Sequence, residues 1–103
     1  MSAEDHEMLS LFIQEAGEHL ETLEADLLQL ENNPRDAQRL NRIFRAAHSI
    51  KGSSSNLGAS QLRTAAEWLE HGSKKESLAN LQPGIPALEA AFAAAKAELE
   101  RLI

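Results

Sequence analysis

Apolar residues recur along the first third of the chain at Leu9, Ile13, Ala16, Leu20, Leu23, Leu27 and Leu30, in steps of four and three. Such steps keep side chains on one side of a 3.6-residue turn, so the stretch predicts one long amphipathic helix. Ser2 and Asp5 stand where a capping pair would open it, and Asn33-Pro34 marks its end. A helix over roughly residues 4–31 would be about 40 Å long at about 1.5 Å per residue. The spacing returns at Leu40, Ile43, Ala47, Ile50, Ser54 and Leu57, where Pro34 or Asp36 could open a second helix and Gly58 stop it.

A third helix carries Leu62, Ala65, Ala66 and Leu69 and is expected to stop near Gly72. Ser73 and Glu76 then form an S-x-x-E capping signal before a short helical turn, "KKESLANL". After the interruption at Pro83, Gly84 and Pro86, a last helix follows Ile85, Leu88, Phe92, Ala95, Leu99 and Leu102. No useful β-alternation appears. Each helix alone would leave an apolar stripe in water. The pattern therefore predicts an all-α fold, an antiparallel up-down-up-down four-helix bundle filling a single domain over 1–103, with a short extra helical turn before the last helix. A long coiled coil with a partner chain is disfavoured because Gly and Pro break the pattern three times, and a monomer is expected.

Composition adds exclusions. Apolar residues make up 43% of the chain with only one Trp, three Phe and no Tyr, so Leu and Ala must fill the core. There is no Cys, hence no disulfide, thiol chemistry or Cys-based zinc site. The net charge of -6 argues against nucleic acid, whose phosphates call for clustered Lys and Arg. No apolar stretch approaches a membrane span, and "MSAEDHEMLS" is acidic where a signal peptide would be basic, so a cytoplasmic location is expected.

Candidate chemistry gathers in "AAHSIKGSSSNLG", residues 46–58. His48 lies just beside the seam of the second helix, with Phe44 four residues back, Lys51 three on, and Arg45, Gly52 and Ser55 flanking. An imidazole at the bundle's edge can act as a nucleophile near neutral pH. Lys51 could place an ammonium near an anion on that ring. Gly52 costs helix stability, about 1 kcal/mol relative to Ala, but leaves a gap through which another protein could approach. A nucleophile, a cation and a cleared approach fit phosphoryl transfer. On spacing alone, a partly packed surface histidine with a chance lysine remains the competing reading.

The stretch "LNRIFRAAHSIKGSSSNLGASQL" resembles the signature of histidine-containing phosphotransfer domains, H-x-[ILV]-K-G-S on the second helix of a four-helix bundle. "FIQEAGEHLETLEADLLQLE" is similar to the first helix of that family, above all in the N-terminal phosphotransfer domain of chemotaxis histidine kinases. The resemblance implies that His48 accepts the phosphoryl group through its solvent-facing nitrogen, that Lys51 holds phosphoryl oxygens and that Gly52 admits the partner. It also implies a polar residue on the third helix that hydrogen-bonds the other imidazole nitrogen. Glu70 is the candidate; Glu67 falls where the chemotaxis group carries a second histidine, and reads more simply as a solvated carboxylate.

Two departures from the chemotaxis pattern, Gly52-Ser53 in place of two glycines and a tail ending on one long helix, lean toward a phosphorelay module, free-standing or excised from a hybrid sensor kinase. The expected partners are then response-regulator receiver domains, which would bind Mg²⁺ themselves, and a hybrid sensor kinase. The chain would bind no cofactor or metal of its own. With no kinase glycine loop or Walker motif it is expected to be a phosphocarrier rather than an enzyme acting on ATP. The alternatives are the phosphoacceptor domain of a chemotaxis-type kinase and a helical adaptor without chemistry, the latter disfavoured by the intact "HSIKGS".

The other polar residues have plainer readings. A di-iron bundle needs Glu-x-x-His on two helices plus inward glutamates. "EAGEH" and "EWLEH" around His19 and His71 lack that spacing, no seam position reads as acidic, and His6 sits near a frayed end. Arg35, Arg39, Arg42 and Arg45 form a stripe that can pair with acidic groups on the first helix. The same stripe leads toward His48, so Arg42 and Arg45 are candidate docking residues for an acidic receiver pocket, with Gly52 and Ser55. Phe44 reads as core or as an apolar anchor for the partner.

Overall fold

The computed structural model describes residues 2–57, 59–74 and 81–102. They form four α-helices: α1 (Ala3–Leu30), α2 (Ala37–Leu57), α3 (Ser60–Lys74) and α4 (Gly84–Leu102). α1 opens on the expected capping box, in which the Asp5 N–H donates to Ser2 Oγ at 3.1 Å and the Ser2 N–H donates to Asp5 Oδ2 at 3.2 Å. α2 opens on Asp36 and not on Pro34: Asp36 Oδ1 accepts from the N–H groups of Gln38 and Arg39.

Each helix packs against two neighbours in cyclic order, α1 on α2, α2 on α3, α3 on α4 and α4 on α1, with no diagonal contact among the described residues. Asp26 near the end of α1 meets Arg42 near the start of α2, as antiparallel packing requires. The result is an elongated four-helix bundle of 46 × 19 × 17 Å, its long dimension close to the length of α1. The buried core runs from Phe12, Leu20, Leu23 and Leu30 through Ile43, Ile50 and Leu62 to Leu69 and Leu88.

The seams differ in detail from the spacing. Phe12 enters the core from α1 while Ile13 is only half-buried and packs against its edge. α3 runs through Gly72 to Lys74, and Ser73 Oγ donates to the Glu70 carbonyl at 2.8 Å inside α3. Glu76, most of the expected extra turn, and the stop at Gly58 lie outside the described residues. Leu102, read into the seam of the last helix, is 53% exposed, since α4 buries its apolar side well only around Leu88.

α4 begins with a close approach. A Cβ on Gly84 would lie 2.6–2.7 Å from Trp68 and Leu69 of α3, so glycine lets the two helices meet there. Pro86 follows in the first turn, where its missing N–H would have had no helical partner.

Candidate functional site

α2 and α3 bring together the three residues singled out as the reactive group. His48 points out from α2 with its side chain 62% exposed, and its Nδ1 lies 3.2 Å from Glu70 Oε2 on α3. The Glu70 side chain is 6% exposed, and it also accepts from Lys51 Nζ, at 3.1 Å to Oε1 and 2.9 Å to Oε2. Burial pushes the Glu70 carboxyl up. The hydrogen bonds from Lys51 and His48, with the charge of the Lys51 ammonium and of the imidazole whenever it is protonated, more than reverse that, and the pKa lies below the ordinary glutamate value.

An ionised carboxylate can only accept, so the neutral imidazole must carry its proton on Nδ1 to satisfy this contact. That choice of tautomer leaves the lone pair on Nε2, at the outer edge of the ring. Lys51 stands close enough to serve either Glu70 or an anion on the imidazole, with its side chain 24% exposed. Gly52, one turn beyond His48, faces open space, and a Cβ built there would meet nothing within 4 Å. The arrangement offers an outward imidazole nitrogen, a buried carboxylate that would stabilise an imidazolium, and a cation beside them.

The remaining candidates divide. Phe44 is half-buried and stacks on the imidazole, ring centroids 6.1 Å apart and planes 15° from parallel, so it is part of the His48 site as well as of the packing. Ser55 Oγ donates to the Lys51 carbonyl of its own helix. Arg45 is exposed on the outer face of α2. Arg42 is committed to α1: its Nε and NH2 donate to Asp26 at 3.0 and 2.9 Å, and that carboxylate raises the guanidinium further above its ordinary pKa. Arg39 joins from the other side through NH1 at 3.3 Å and also holds Asp36. Glu67 pairs at 3.7 Å with Arg63 one turn back rather than with the histidine site.

Asp26 and Glu70 are both buried, contrary to the expectation that no acidic residue lies among the inward positions. Each is compensated by two basic groups. The paired arginines three apart on α2 are the signal that could have pointed to an inward carboxylate on α1. Among the described residues, no group of three His, Asp or Glu side chains could hold a metal ion, and no helix is long and apolar enough to cross a membrane.

A family model described as the Hpt domain matches residues 7–102. The chain belongs to the Hpt domain family. This Hpt domain is 45% identical over 64 residues to chemotaxis protein CheA of Listeria monocytogenes, covering 62% of the chain and 10% of that protein. It is 57% identical over 51 residues to sensor histidine kinase CheAY of Helicobacter pylori, covering 50% of the chain and 6% of that protein. Among solved structures, the CheA phosphotransferase domain from Thermotoga maritima superposes with a TM-score of 0.71 at 27% identity, over 99% of this chain and 98% of that one.

The chain spans about a tenth of the length of the first two CheA relatives. All 103 residues are accounted for by, or lie just beside, the Hpt match, and no kinase domain lies within them. The lean toward a relay module is not supported by these relatives, which are chemotaxis kinases. Ending on a single last helix does not separate the chain from that group either, because the Thermotoga domain is matched over 98% of its length.

Proposed function

We propose that this Hpt domain is the phosphoacceptor domain of a chemotaxis-type histidine kinase. In this reading the Nε2 lone pair of His48 attacks the γ-phosphorus of ATP held by a kinase domain. The bond to the bridging oxygen breaks, ADP leaves, and the ring becomes a phosphoimidazolium whose Nδ1–H stays on Glu70. Lys51 turns from Glu70 to the phosphoryl oxygens and offsets their charge. In the second half, an aspartate of a receiver domain attacks phosphorus, the P–N bond breaks, and neutral His48 is restored. Mg²⁺ belongs to the partners in both halves. A donor that holds ATP fits a cytoplasmic location for the chain.

The observation that carries the reading is the 3.2 Å contact of Nδ1 with a buried carboxylate while the rest of the ring stands exposed beside Gly52. A surface histidine with no such role has no need of a buried carboxylate that a neighbouring lysine must neutralise. The relay reading, with a phosphorylated receiver as donor, rests on Gly52-Ser53 alone.

The test offers the chain and its His48→Gln variant two donors, a chemotaxis-type kinase domain with ATP and a set of phosphorylated receivers. The expected result is an acid-labile mass gain of one phosphoryl group on the native chain with the kinase domain, and none on His48→Gln. Labelling from receivers only would move the assignment to the relay reading. Labelling of another residue would overturn the assignment to His48, and labelling of none with either donor would leave the adaptor reading.

A further inference from the structure

The helix pair that holds His48 makes a second contact one turn away. Lys74, four residues after Glu70 on α3, places Nζ 5.3 Å from the centroid of the Phe44 ring, and Phe44 stands four residues before His48 on α2. Because α2 and α3 run in opposite directions, the two contacts lie side by side. Glu70 meets His48, and Lys74 meets the ring that stacks on His48. Each helix contributes residues four apart, which share one face.

A single hydrogen bond does not fix a ring. Held only at Nδ1, an imidazole 62% exposed can pivot on that contact and carry Nε2 through an arc. A near-parallel aromatic face restricts the pivot, and aromatic pairs at this centroid separation attract one another. The lysine on the Phe44 ring holds that face in turn through the attraction of a cation for a π-system. Phosphoryl transfer needs the attacking nitrogen in line with the leaving group, and small losses of orientation are costly.

We propose that Phe44 is a positioning residue for His48 and that Lys74 clamps it, so that Glu70 and Phe44 together aim Nε2 at the donor. The inference rests on His48 being the phosphoacceptor. It makes Phe44 a determinant of the transfer step rather than of partner affinity.

The test uses the full chain with Phe44→Leu, which keeps apolar bulk without a ring, Phe44→Tyr, which keeps the ring, and Lys74→Gln. NMR couplings report the His48 side-chain rotamers without any donor. Kinetics with a kinase domain and ATP separate kcat from KM. Phosphoramidate, whose P–N bond breaks with loss of ammonia as Nε2–P forms, supplies a small donor that can approach from many directions. For Phe44→Leu the expected result is rotamer averaging, a fall of about tenfold in kcat with KM within about twofold, and phosphoramidate labelling within about twofold of the native chain. Phe44→Tyr should behave as the native chain, and Lys74→Gln should shift the rotamers and kcat in the same direction by about two- to threefold.

Unchanged His48 couplings in Phe44→Leu would overturn the proposal, as would a rise in KM with kcat preserved, which would make Phe44 a docking anchor. If Phe44→Leu does not fold, Lys74→Gln decides by the same couplings. If neither donor labels the native chain on His48, the phosphoacceptor reading fails separately, while the couplings still accept or reject the contact as what orients the ring.

Discussion

At the level of single residues, Glu70 couples burial to charge. Its pKa lies below the ordinary value, so folding favours the ionised form. The stabilisation from that preference is complete above the unfolded pKa, about 4.3, and is lost as pH falls through the lower folded pKa. Urea midpoints of the native chain and of Glu70→Gln, measured from pH 3 to 7, should therefore differ most near neutrality and converge under acid. The same variant leaves His48 Nδ1 with an uncharged acceptor and frees Lys51. Transfer from a kinase domain should slow by about tenfold, the scale of one charge-assisted hydrogen bond. Gly52 works in the opposite sense. Its outward side is empty, so Gly52→Ala should raise stability by about 0.5–1 kcal/mol in a thermal melt. Gly52→Leu should keep native helix content by circular dichroism yet slow transfer several-fold, because bulk now stands where a partner arrives. His48, Lys51 and Gly52 could be grouped from their spacing on one helix, while the role given to them came from the family resemblance. Glu70 became legible only through family resemblance. A glutamate near the end of an amphipathic helix reads as solvated, and nothing local announces that a lysine and a histidine from another helix will cover it.

Between elements, the buried Asp26 fastens the α1–α2 corner. Arg42 grips it with two hydrogen bonds and Arg39 adds a third, while Arg39 also holds the Asp36 cap of α2. Both guanidiniums reach water, so the pair is worth less than a fully enclosed one. Asp26→Asn should lower stability by about 1–2 kcal/mol by urea titration, with phosphotransfer unchanged, since the network lies toward the opposite end of α2 from Gly52. The boundaries of the four helices among the described residues were legible to within a few residues because three-four spacing is repeated many times along each segment. The inward carboxylate was not legible, because one charged residue does little to a seam defined by seven apolar ones. The exception at Gly72 has the same root: a glycine reads as a stop, whereas here α3 continues for two more residues and so brings Lys74 over Phe44.

Across the whole molecule the interlocking is uneven. α2 and α3 share the largest interface and carry the whole His48 site, whereas α4 buries little beyond Gly84 and Leu88. Local opening should follow that gradient. Native-state hydrogen exchange is expected to show the least protection in the C-terminal half of α4 and the most in the middle of α2, around Ile43–Ile50. Such opening of α4 would leave the contacts of Glu70 with His48 and Lys51 in place. The Gly84 approach gives this a spectroscopic side. Trp68, the one tryptophan of the chain, lies against Gly84 with about half its surface in water. Its emission should shift to longer wavelength when α4 lifts away. A fluorimeter could then follow the docking of the last helix while phosphate labelling follows His48, two optical and chemical clocks running on the same unlabelled protein.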